Sequence, residues 1–174
     1  MNKQKEQKSE NPMRAPKLEK VVLSSGATDV DLEKAKKLLE ILTKKKAYKI
    51  ITRKRIPDFG VRPGLEVGTA ITLRGEEAKE LLKKLLAVLN NTLRRSQIAP
   101  NTFSFGIKEY IEIPDIEYQR DIGIRGFNVT VTFSRAGARL SRKKIKAARL
   151  PRRQQVTPQE IITFMEENFR TKIR

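Results

Sequence analysis

The hydrophobic positions of this chain change period several times, and each change marks an element. Residues 20–26 (KVVLSSG) form a short β-type run closed by glycine. Leu32, Ala35, Leu38, Leu39 and Leu42 then recur at helical spacing, with acids early and lysines late, which predicts a helix over 29–44. Residues 47–54 (AYKIITRK) and 69–74 (TAITLR) read as strands. The strongest helical stripe, Ala78, Leu81, Leu82, Leu85, Leu86 and Leu89, predicts a helix over 76–93. Clean alternation follows twice, through Phe103, Phe105 and Ile107 and again through Phe127, Val129, Val131 and Phe133. Finally, Thr157-Pro158-Gln159-Glu160 has the form of a capping box with proline at the first helical position. Ile161, Met165 and Phe169 follow it at one-turn spacing.

The order is strand, helix, strand, strand, helix, strand, strand, helix. Its first six elements match the split β-α-β-β-α-β plan (ferredoxin-like, RRM-like). The expected fold is therefore α+β: an antiparallel sheet with helices on one face, an added strand and a C-terminal helix. Residues 1–13 are polar and read as a disordered leader, and 14–174 as one domain. The stretch 55–68 carries two prolines and three glycines, a loop long enough to be functional. Residues 109–121 form an acidic, isoleucine-rich excursion broken at Pro114. Strand parity assigns Lys20, Val22, Ser24, Thr72, Arg74, Thr102, Ser104, Gly106, Asn128, Thr130 and Thr132 to the face away from the helices. The aromatics of the two alternating strands fall on the core side. That disfavours a sheet that reads single strands by stacking, and the sequence signature of such sheets is absent.

Charge sharpens this picture. The formal net charge is +18, and two stretches hold most of it: 42–56 has seven Lys or Arg and no acid, and 134–153 has nine and no acid. Residues 57–133 are balanced at ten against ten. Acid-free runs flanking a neutral, patterned core point to a polyanion, because each cation that neutralises a phosphate releases a condensed counterion. The second run lacks periodicity and is expected to order on its polyanion; the first is framed by a helix end and a strand.

Most catalytic chemistry is missing its parts. There is no cysteine, histidine or tryptophan, so no thiol nucleophile, no Zn-thiolate site and no imidazole base. Glu112, Asp115, Glu117 and Asp121 are the residues a Mg²⁺-dependent nuclease would use, but Ile111, Ile113 and Ile116 between them suit a half-buried edge with solvated carboxylates better. Gly75 before a helix is followed by Glu76 and Glu77, which repel phosphate. No phosphate-loop or nucleophile-elbow motif occurs, so neither an enzyme nor a cofactor is expected. No secretory segment or membrane-length apolar run is visible, which leads to the expectation of a soluble, intracellular, cytoplasmic protein.

Three stretches carry a family resemblance: 16–26 (PKLEKVVLSSG), 55–75 (RIPDFGVRPGLEVGTAITLRG) and 101–133 (NTFSFGIKEYIEIPDIEYQRDIGIRGFNVTVTF). They closely resemble large-subunit ribosomal protein number five, the universal 5S ribosomal RNA binder, over about residues 14–174. The second basic run before a C-terminal helix resembles its archaeal and eukaryotic branch. The resemblance implies a place in the central protuberance of the large subunit. It implies a sheet bound to 5S rRNA, a loop after the second strand reaching the elbow of P-site tRNA, and contacts with large-subunit rRNA. It also implies neighbouring ribosomal proteins, including those of the small-subunit head. The family's sheet threonine in V-T-L-R corresponds to Thr72; its asparagine in V-V-x-N is Ser24 here, and its glutamine in T-G-Q-K-P is Lys45.

The candidate rRNA-binding residues are Lys20, Ser24, Lys45, Lys46, Lys49, Thr72, Arg74, Arg142, Lys143, Lys144, Lys146, Arg152 and Arg153. The candidate tRNA-binding loop offers Arg53, Lys54, Arg55, Phe59 and Arg62, with Phe59 expected to anchor the loop rather than stack on a nucleotide. The competing reading is a non-ribosomal architectural protein for DNA or generic RNA. It explains the charge but not the hydroxyl-rich face or the glycine-bearing loop.

Overall fold

The computed structural model describes residues 11–114 and 116–174; most of the expected leader and Asp115 lie outside them. The strands are β1 (Lys17–Gly26), β2 (Tyr48–Ile51), β3 (Glu66–Leu73), β4 (Thr92–Leu93), β5 (Ile98–Ala99), β6 (Thr102–Ile107), β7 (Phe127–Ser134) and β8 (Lys172–Ile173). The helices are α1 (Asp29–Thr43), α2 (Glu76–Val88) and α3 (Pro158–Phe169). Six strands form one sheet in the order β2-β3-β1-β7-β6-β5, and β4 and β8 make a small parallel pair. All neighbouring pairs in the large sheet are antiparallel.

The expected α+β architecture is present, with one revision. The split plan is completed by β7, which lies beside β1, whereas β6 is the added strand outside it. Thr102–Ile107 comes first in sequence, but β7 supplies the longer alternating apolar run, with Phe127, Val129, Val131 and Phe133 all buried. The excursion between β6 and β7 is pinned by Tyr110, which is 1% exposed; its hydroxyl accepts the Gln119 N–H at 2.9 Å. Ile113 is buried and Ile111 exposed, giving the half-buried edge.

The core lies on one face of the sheet. Val21, Leu23, Ile71, Leu73, Phe103 and Phe105 pack with Leu38 and Leu39 of α1 and Leu82, Leu85 and Leu86 of α2. The rings of Phe103 and Phe133 stack at 5.9 Å, and Phe164 of α3 meets Phe133 edge-on at 5.4 Å. Helix α2 stops at Val88 rather than near 93, because Asn90 and Asn91 take φ near +51 and +52. Asparagine tolerates that left-handed turn, which frees Leu93 to enter the core from β4. At α3 the capping box forms: Thr157 accepts the Glu160 N–H, and Glu160 accepts the Thr157 N–H at 2.9 Å.

Candidate nucleic-acid interface

Register turns the open face into rows. Tyr48 lies opposite Ala70, Ala70 opposite Ser24, Ser24 opposite Asn128, and Asn128 opposite Gly106. The next row runs Thr72, Val22, Thr130, Ser104, and a third joins Lys20, Thr132 and Thr102. Paired residues in antiparallel strands share a face, so β1, β3, β6 and β7 carry small and hydroxyl side chains together. Thr72 and Ser104 are exposed and Ser24 is half-buried. One aromatic belongs to this face after all: Tyr48, 53% exposed, heads the first row. The pattern of 47–54 concealed it, because a four-residue edge strand shows too little alternation to fix its parity.

The candidate cations separate into engaged and free. Lys49 lies on the helix side, opposite buried Thr69, and bridges Glu33 and Glu66 at 2.7 Å each. Those hydrogen bonds push its pKa up to about 12, and the bond from Lys49 holds Glu33 below the usual carboxylate range. Lys45 pairs with Glu77. Lys46, Arg53, Lys54, Arg55 and Arg62 are exposed. The loop they serve is a narrowed extension of the β2–β3 hairpin: Ile56 and Val61 exchange two backbone hydrogen bonds, and Gly64 N–H donates to Thr52 O at 2.9 Å. Gly60 turns the tip at φ +62, in the left-handed region that glycine enters freely. Phe59 stands there 79% exposed. It does not anchor the loop; the backbone ladder does that, and the ring faces solvent.

The second basic run is tied back at several points. Arg135 forms two bonds to the Glu160 carboxylate and a third, at 3.1 Å, to Arg153 O, and Gln154 donates to Ala136 O at 2.8 Å. Arg142 pairs with Glu19, which also lies 3.7 Å from Arg74. Glu19 is the extra residue at an irregularity in β1 between Leu18 and Lys20, and only 14% of its side chain is exposed. It joins Arg142 to Arg74 and so brings the second run to one corner of the sheet. No local pattern signals this link, since Glu19 and Arg142 are 123 positions apart. Lys143, Lys144, Lys146, Arg152 and Arg153 remain exposed. Among the described residues no three acidic side chains gather as a metal site, and no helix is long and apolar enough to cross a membrane.

A polar sheet face rimmed by exposed cations, on a split α+β frame, defines a protein of the class that holds a nucleic-acid backbone. Residues 66–157 match the family model for the C-terminal part of ribosomal protein L5, and residues 11–62 match the model named ribosomal protein L5. The chain belongs to the ribosomal protein L5 family, whose members are structural, non-enzymatic components of the large ribosomal subunit in the cytoplasm. Similar curated proteins include the large ribosomal subunit protein uL5 of Sulfolobus acidocaldarius, 42% identical over 97% of this chain and 96% of the relative. That of Methanosphaera stadtmanae is 35% identical over 94% and 99%. The two family models divide between residues 62 and 66, yet β1 and β2 of the first part pair with β3 and β7 of the second in one sheet.

Proposed function

We propose that this chain is a structural RNA-binding protein that holds 5S rRNA against the open face of its sheet. In this reading residues 14–174 act as one RNA-binding domain within the central protuberance. The rows led by Thr72 and by Ser24–Asn128 approach the sugar–phosphate backbone; small side chains let it come close, and hydroxyls bond phosphate or 2′-OH groups. Lys20, Lys46 and Arg74 supply charge at the rim. The loop 55–68, with Arg53 and Lys54 at its root, presents Arg55, Arg62 and the exposed Phe59 to P-site tRNA, with the same region bridging to the small-subunit head. The extension 134–153 fills crevices of large-subunit rRNA.

The observation that carries this reading is the shared face: hydroxyl and small residues from β1, β3, β6 and β7 lie in register while their large apolar neighbours are buried. An architectural binder of generic nucleic acid has no use for so ordered a surface.

Binding to 5S rRNA, an unrelated RNA hairpin and a DNA duplex across a salt series tests it. With at least about six phosphates neutralised, log affinity should fall with log salt at a slope of about −5 or steeper, with 5S rRNA preferred. Equal affinity for DNA and RNA would favour the architectural reading, and a slope near zero would remove both.

A further inference from the structure

A third cationic site lies where neither basic run reaches. In the parallel pair, Thr92 lies opposite Lys172 and Leu93 opposite Ile173. Arg174 N–H donates to Leu93 O at 2.9 Å, and Arg95 N–H donates to Arg174 O at 2.8 Å. This ladder brings Arg174 beside Arg94 and Arg95, and Lys108, just past the end of β6, completes the group. The four line an open cavity of about 740 Å³ that also includes Ser96 and Gly106. All four are exposed, and none has an acidic partner among the described residues. No Asp or Glu lines the cavity.

Three guanidinium groups and an ammonium around one cleft, with no side-chain carboxylate among them, raise the local potential and repel one another until an anion enters. The guanidinium fork matches phosphate oxygens two at a time. Gly106 adds the decisive placement: it closes the row Tyr48–Ala70–Ser24–Asn128–Gly106, so the cleft is continuous with the open face of the sheet. We infer that this cleft is a second phosphate-binding site, taking the RNA backbone where it runs off the sheet beyond β6. The inference rests on the reading of the open face as an RNA surface. It extends that surface to an edge that the charge runs do not mark.

The test compares the full chain with the variant Arg94→Gln/Arg95→Gln/Lys108→Gln in 5S rRNA binding across a salt series. The variant should keep its melting temperature, bind at least about tenfold more weakly at low salt, and show a slope shallower by about 3. Unchanged affinity and slope, with the wild type still binding 5S rRNA, would overturn this inference alone. A wild type that does not bind 5S rRNA would overturn the functional reading and this site with it. A second measurement does not depend on the variant folding. The chain has no cysteine, so Ser96→Cys can carry a single tethered hydroxyl-radical source. Cuts in bound 5S rRNA above those from Lys37→Cys, on the outer side of α1, are expected; equal or fewer cuts would count against the cleft.

Discussion

Thr72 is exposed between buried Ile71 and Leu73, and its hydroxyl makes no hydrogen bond among the described residues. Its role is therefore separable from the fold. Thr72→Ala should weaken 5S rRNA binding by about 1 kcal/mol, roughly fivefold, with the melting temperature unchanged; a large thermal shift instead would make Thr72 structural. Gly126 is the opposite case. A Cβ there would lie 2.6 Å from the carbonyl oxygens of both Ile107 and Lys108, where the chain crosses from the excursion into β7. Backbone cannot swing aside as a side chain can, so Gly126→Ala should cost about 3 kcal/mol in urea unfolding. Residue parity made Thr72 readable in advance. Nothing local marks Gly126, because the atoms it must avoid belong to a different strand's end.

Helix α3 shows what joins one element to the rest. Its cap residue Glu160 also receives Arg135, whose side chain is only 10% exposed. Burial raises the Glu160 pKa, but the bond from the Thr157 amide and the pairing with Arg135 outweigh it, and the net direction is down. A depressed carboxylate stabilises fully above its unfolded pKa of about 4.3 and loses that contribution as pH falls through its folded value. Glu160→Gln should accordingly be less stable than wild type at neutral pH by about 2 kcal/mol, since Arg135 loses its carboxylate. The gap in melting temperature should narrow as pH falls below the unfolded value and through the lower folded one; a gap that widens in acid would contradict the assignment. The cap itself was legible from Thr157 to Glu160. Its link to Arg135 was not, because 25 positions separate the pair. The loop tip behaves similarly: proline and glycine announced a turn, while the Ile56–Val61 bridge that leaves Phe59 outside appears only in three dimensions.

Across the whole molecule, cations collect at three places: the root of the β2–β3 hairpin, the corner held by Glu19, and the cleft beside β4 and β8. Within the first group Lys49 lies on the helix side, away from Thr72, so the ordered sheet face should set which RNA is bound, while the exposed extension should set how tightly. Replacing residues 139–149 with a glycine–serine linker of equal length should lower 5S rRNA affinity at least about tenfold at low salt. The preference over an unrelated hairpin should persist, measured by competition; loss of that preference would give the extension a role in recognition. Local sequence was enough to define the three helices, the strands β1, β2, β3, β6 and β7, the side of each long strand that meets the core, and the two basic runs, though not the short strands β4, β5 and β8. All of these are written in spacings of a few residues, where covalent geometry fixes direction. Three outcomes came from the folded chain instead: β7 rather than β6 lies beside β1, Tyr48 joins the open face, and Arg94, Arg95, Lys108 and Arg174 surround one cleft. They depend on strand register and on chain ends meeting across 66 or more positions, for which no local periodicity exists.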